Sequence, residues 1–78
     1  MSLISREDYI NNNRASTKTR IRECIAGADS YKQLQQFLKS EASLADVYED
    51  DGARDTAAII REVNIPLIQE ALAKVRRG

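Results

Sequence analysis

The chain has 78 residues, with twelve basic and twelve acidic side chains, one cysteine and no histidine. A chain this short holds one domain, spanning residues 1–78, and buries only about 60% of the surface its unfolded form exposes. The lone cysteine excludes an internal disulfide, and without histidine it cannot build a zinc site. A partner chain is the remaining way to widen a thin stability margin, so the composition points to a homo-oligomer, most simply a homodimer.

Opposite charges cancel overall but are unevenly placed. Residues 1–40 carry seven basic and four acidic groups, residues 41–63 two and seven, and residues 64–78 three and one. An acidic centre between basic ends suits packing of the segments on one another, or head-to-tail pairing of two chains. No apolar run reaches the eighteen or so residues of a membrane span, and no signal peptide opens the chain. With a single unpaired cysteine, the expected location is the cytoplasm.

Apolar residues recur throughout at spacings of three and four, which predicts an all-α fold. Ser5-Arg6-Glu7-Asp8 reads as a capping box, flanked by Ile4 and Tyr9 as a hydrophobic staple. A first helical region runs from about Arg6 to Ala26, with Ile10, Thr17, Ile21, Cys24, Ile25 and Ala28 on one face. Asn11-Asn12-Asn13 is poor helix-forming sequence, so this region reads either as one helix or as two, the second starting near Ser16. Gly27 is placed to end it in the left-handed conformation.

Ser30-Tyr31-Lys32-Gln33 is a second capping box, opening a helix to about Ser40 that buries Tyr31, Leu34, Phe37 and Leu38. Ser43-Leu44-Ala45-Asp46 is a looser third box. It opens a shorter helix, about Leu44 to Glu49, that offers Leu44, Val47 and Tyr48. Asp50-Asp51-Gly52 is a turn that doubles as a helix start. Ala53, Ala57, Ile60 and Val63 follow at helical spacing until Pro66, which favours the first turn of a new helix. Positions 57, 60, 64, 67, 71 and 75 also fall on one line, so a single helix kinked at Pro66 is the alternative for residues 53–76. Lys74, Arg76 and Arg77 suit the negative end of a helix dipole, and Gly78 closes the chain. The pattern predicts a compact bundle of four or five short helices, completed by homodimerisation. Its expected core is Ile21, Ile25, Leu34, Leu38, Val47, Ile60, Leu67, Ile68, Leu72 and Val75.

No residue set reads as an active site. Cys24 has no base beside it and falls on an apolar face, where cysteine behaves as a small hydrophobe, although Arg20 and Arg22 are near in sequence. The acids Glu49, Asp50, Asp51 and Asp55 lack the alternate spacing and distal glutamate of a calcium loop. They fit a turn and a helix start instead. Gly27 and Gly52 stand alone, so no phosphate-binding loop is present. The expectation is a non-enzyme without metal or cofactor.

Two binding readings remain. Arg14, Lys18 and Arg22 repeat every four residues along the first region, and Lys32 and Gln36 follow Gly27 in a polar helix. Together they suggest a helix-turn-helix reader of nucleic acid. Against it, Glu23 occupies the position where close helix crossing needs a small residue, and Gln33 and Gln36 fall where buried aliphatics belong. The stripe Ile65, Ile68, Leu72, Val75 has the spacing of a helix that docks on another helix, in a partner or in the chain's own core. Leu44 to Tyr48 with Ala71 to Gly78 resembles the opening segment of antitoxin regulators of addiction modules, a resemblance that assigns no residue a role. The leading expectation is a non-catalytic, regulatory protein–protein interaction module acting through a helical surface. The nucleic-acid regulator is the alternative.

Overall fold

The computed structural model describes residues 5–77, with side chains to Arg76. Three helices follow one another: α1 is Arg6–Ala26, α2 is Ser30–Asp50, and α3 covers residues 54–77. The fold is all-α, but the bundle has three long helices where four or five short ones were expected. None of them is long and apolar enough to cross a membrane.

Each merged boundary has a local cause. Ser5 caps α1, its Oγ accepting the Asp8 N–H at 3.1 Å, with Glu7 and Asp8 at the positive end of the helix dipole. Ile4, the other half of the expected staple, lies outside the described residues, as does Gly78. The asparagine run does not break α1, and Asn13 Nδ2 donates to the Tyr9 carbonyl one turn back, at 3.1 Å. Between Ser30 and Asp51 there is neither glycine nor proline, so the third capping box is absorbed into the interior of α2. Ser30 does not act as a cap either. Its Oγ donates to the Ile25 carbonyl at 2.9 Å and so ties the start of α2 to the end of α1.

The two turns differ from one another. Gly27 is extended, with φ −78° and ψ 172°, and does not adopt the left-handed conformation expected of it. That conformation occurs at Gly52, with φ +88°. Here the Gly52 N–H reaches the Glu49 carbonyl at 3.1 Å and the Ala53 N–H the Tyr48 carbonyl at 2.8 Å. These are the paired bonds of a Schellman turn. A Cβ at Gly52 would meet nothing within 4 Å, so substitution there carries a purely conformational cost. Gly52→Ala is expected to lower unfolding free energy by about 1–2 kcal/mol, read from urea midpoints.

In α3, Arg54–Ile59 and Ile65–Arg77 are α-helical and Ile60–Asn64 is a π turn. Pro66 has no N–H, and its ring crowds the carbonyl four residues back. Widening the preceding turn relieves that crowding, and the Ile65 N–H bonds the Ile60 carbonyl, five back. Residues 54–77 are therefore one helix. The extra residue also moves the buried line, so that Ile68 rather than Leu67 points straight at the core.

The helices run up, down and up. Ile21, Leu34, Phe37, Ile68 and Ala71 form the main cluster, with Cys24, Leu38, Leu67, Leu72 and Val75 packed around it. Ala45, Ala57 and Ile60 form a second, flanked by Tyr48 and Ile65. Alanines at this second contact let α2 and α3 approach closely. Arg61 closes it from outside, donating to Glu49 at 2.7 Å and Asp46 at 2.8 Å. Bonds to Glu49 first, then Asp46, hold the guanidinium pKa above its ordinary value.

Of the ten expected core positions, Ile21, Leu34 and Ile68 lie in the main cluster, and Leu38, Leu67, Leu72 and Val75 pack against it. Ile60 belongs to the second. Ile25 and Val47 do not belong to the core, being 46% and 54% exposed, and Tyr31 and Leu44 are exposed as well. The bundle measures 44 × 26 × 16 Å. Its accessible surface of 5740 Å² exceeds the roughly 4,800 Å² typical of a monomer of this mass.

Candidate functional site

Each pair of helices encloses a groove, and α1 and α3 enclose a second at Arg6, Tyr9, Asp55, Thr56 and Ile59. Between α1 and α3 lie Lys18, Ile21, Ile25, Leu67, Glu70 and Lys74. Between α2 and α3 lie Lys32, Gln35, Gln36, Leu38, Lys39 and Leu72. Between α1 and α2 is a cleft of about 340 Å³ reaching down to Asn64 of α3.

That cleft is the most polar and most structured of these grooves. Asn64, only 3% exposed, donates from Nδ2 to Glu41 Oε1 at 3.1 Å, and its Oδ1 has no partner. The carboxylate can only accept, which fixes which way the amide points. Thr17 is buried beside it, and Arg20 stacks on Phe37 with its guanidinium carbon 4.7 Å from the ring centroid. Leu44 lines the cleft, and Val47 continues its apolar side along α2 with Lys39, Ser40 and Ser43. This arrangement holds hydrogen-bonding groups at the base of a trough with an apolar lip. Ser16, Thr17 and Ser40 share the cleft with Glu41, whose carboxylate accepts from Asn64, and Cys24 packs half-buried against the main cluster. Among the described residues no three His, Cys, Asp or Glu side chains gather as metal ligands.

Arg14, Lys18 and Arg22 are all exposed on α1. Arg14 donates to Asn11 Oδ1 at 3.1 Å and Arg22 to Thr19 Oγ1 at 3.3 Å. Lys18 opens onto the α1/α3 groove, whereas Lys32 and Gln36 open onto the α2/α3 groove, so the five do not share one face. Nor do α1 and α2 cross as a helix-turn-helix. Phe37 meets Arg20, and Leu44 shares the cleft with Asn13, so the two helices run antiparallel side by side. In the proposed docking stripe, Ile68 is wholly buried in the chain's own core, and Ile65, Leu72 and Val75 are half-buried against it.

The topology sorts the charges. Residues 17–39 and 65–76 make one half of the described bundle, with seven basic and three acidic groups. The other half, residues 5–16 and 40–64, has four basic and nine acidic. What reads along the chain as basic–acidic–basic becomes a bundle with one basic and one acidic end. The residues that sequence reasoning missed are Asn64, Glu41, Thr17 and Arg20. A polar residue at 64 on an otherwise apolar helical line was the signal for the first. The others needed the tertiary arrangement.

No family model matches the chain, and no curated protein or solved structure matches it.

Proposed function

We propose that this chain is a non-catalytic, regulatory protein–protein interaction module whose docking surface is the side of α2 from the α1/α2 cleft outward. The observation that carries the reading is the placement of Leu44 and Val47. Both are large, apolar and exposed, on one side of α2 beside the cleft. An apolar lip around buried polar groups is the anatomy of an interface, with the lip supplying area and the floor supplying register. The test is affinity capture from lysate of the source organism with wild type and a Leu44→Asp/Val47→Asp variant. The variant is expected to melt within a few degrees of wild type and to lose the captured proteins. Equal capture by both removes the reading.

A second reading, nucleic-acid binding, draws on the same fold-made basic end, where Lys18, Arg22 and Lys32 come from three different turns of two helices. It predicts that duplex or single-stranded DNA binds at low salt with affinity falling steeply as salt rises. A fluorescence titration without a signal at about 20 mM salt ends it.

A further inference from the structure

We propose that a second copy of the chain lies antiparallel along the outer face of α2, which meets the docking surface above at Val47. The inference rests on that docking reading only through Val47, and it names an occupant for the outer face.

Opposite the buried Leu34, Phe37 and Ala45, α2 presents Lys32, Gln36, Lys39, Ser43, Val47 and Asp50 at helical spacing, all exposed. The line is basic at its start, small at its middle and apolar then acidic at its end. Turned end for end about Ser43 it superimposes on itself: 36 falls on 50, 39 on 47, and 43 on its own mate. Antiparallel pairing therefore sets Lys39 beside the partner's apolar Val47, with its ammonium one turn from the acids that follow. Lys32 falls opposite position 54, past the end of α2, with Asp50 about one turn back. Parallel pairing would stack lysine on lysine and aspartate on aspartate. The small Ser43, flanked by Ala42 and Ser40, permits close approach where the two helices cross.

The charge sorting of the whole bundle points in the same direction. Two copies side by side in opposite senses bring each basic end to the other's acidic end, and the contact is isologous, closing at two. Neither Lys32, Lys39 nor Asp50 has an ion-pair partner among the described residues, whereas Asp46 and Glu49 are already held by Arg61.

Three measurements test the proposal together. Ser43→Cys, at an exposed site, places two thiols at the crossing point. Under mild oxidation it is expected to give a cross-linked dimer whose disulfide maps to that position, while Gln33→Cys, on the cleft side, gives none. Sedimentation equilibrium of the wild type is expected to show a mass rising toward twice the 8.8 kDa chain. Finally, K32E/K39E and D50K/D51K each set like charges against like. Each is expected to self-associate at least about tenfold more weakly, and an equimolar mixture of the two to recover the wild-type association. Glu at 32 and Lys at 50 and 51 suit the helix dipole, and 39 is an exposed mid-helix position, so these variants are expected to keep the fold. A monomer mass throughout with no cross-link overturns the second copy, as does charge-independent association. If the chain stays monomeric while capture still depends on Leu44 and Val47, only the second copy falls. Capture indifferent to both positions removes the docking reading itself.

Discussion

Leu34→Ala and Ile68→Ala are each expected to destabilise the bundle by about 2–5 kcal/mol. The two side chains are the largest in the protein with no exposed surface. They come from α2 and α3 and meet in the cluster that also holds Ile21 of α1, so either truncation opens a void where all three helices join. A domain of this length has a total stability of about 4–12 kcal/mol. Each substitution therefore removes a large part of it, and melting temperatures should fall by roughly 10–30 °C. Ile25→Ala is the informative contrast. Helical spacing puts Ile25 in the core, yet it is about half exposed, and its truncation is expected to cost no more than about 1 kcal/mol. Urea midpoints of the three variants decide between the two versions of the core. Equal losses at positions 25 and 34 would mean that α1 packs differently from the arrangement described.

Asn64→Asp changes almost no volume and is expected to be the most damaging conservative substitution in the chain, costing about 3–5 kcal/mol at pH 7. It exchanges the donor Nδ2, now 3.1 Å from Glu41, for a second carboxylate in a position with almost no access to water. Burial, then the Glu41 charge, raises the pKa of the introduced carboxyl above its unfolded value of about 3.9. The folded state therefore holds that proton more tightly than the unfolded state. The variant should match wild type below about pH 4 and lose stability as pH rises through the raised value. A protonated carboxyl can also give Glu41 back its hydrogen bond. Asn64→Leu has the opposite outlook. It removes the unpartnered Oδ1, and Glu41 is only partly buried, so stability should stay within about 1 kcal/mol of wild type or rise. Denaturation at pH 4 and pH 7 reads both. An Asn64→Asp variant with the pH profile of wild type would show that water reaches this position.

The one-dimensional pattern determined the helical class, the extent of α1, the apolar face around Ile21, Leu34 and Ile68, and the Asp50-Asp51-Gly52 turn. Spacing of three and four, a serine cap and a glycine after two aspartates are local signals, and local backbone energetics act on them directly. Helix number was decided elsewhere. Asn11–Asn13 and Ser43 weaken a helix by tenths of a kcal/mol each, too little to stop one that packs along its whole length. Pro66 was legible as a break, and the π turn that carries the helix through it was not, because its benefit lies in aiming Ile68 at α1 and α2. Ile25 and Val47 share the helical period of buried neighbours. Only the path of the adjacent helix determines which of them is covered. The same holds for the charges: twelve and twelve cancel in the sequence, and antiparallel packing alone separates them into two ends.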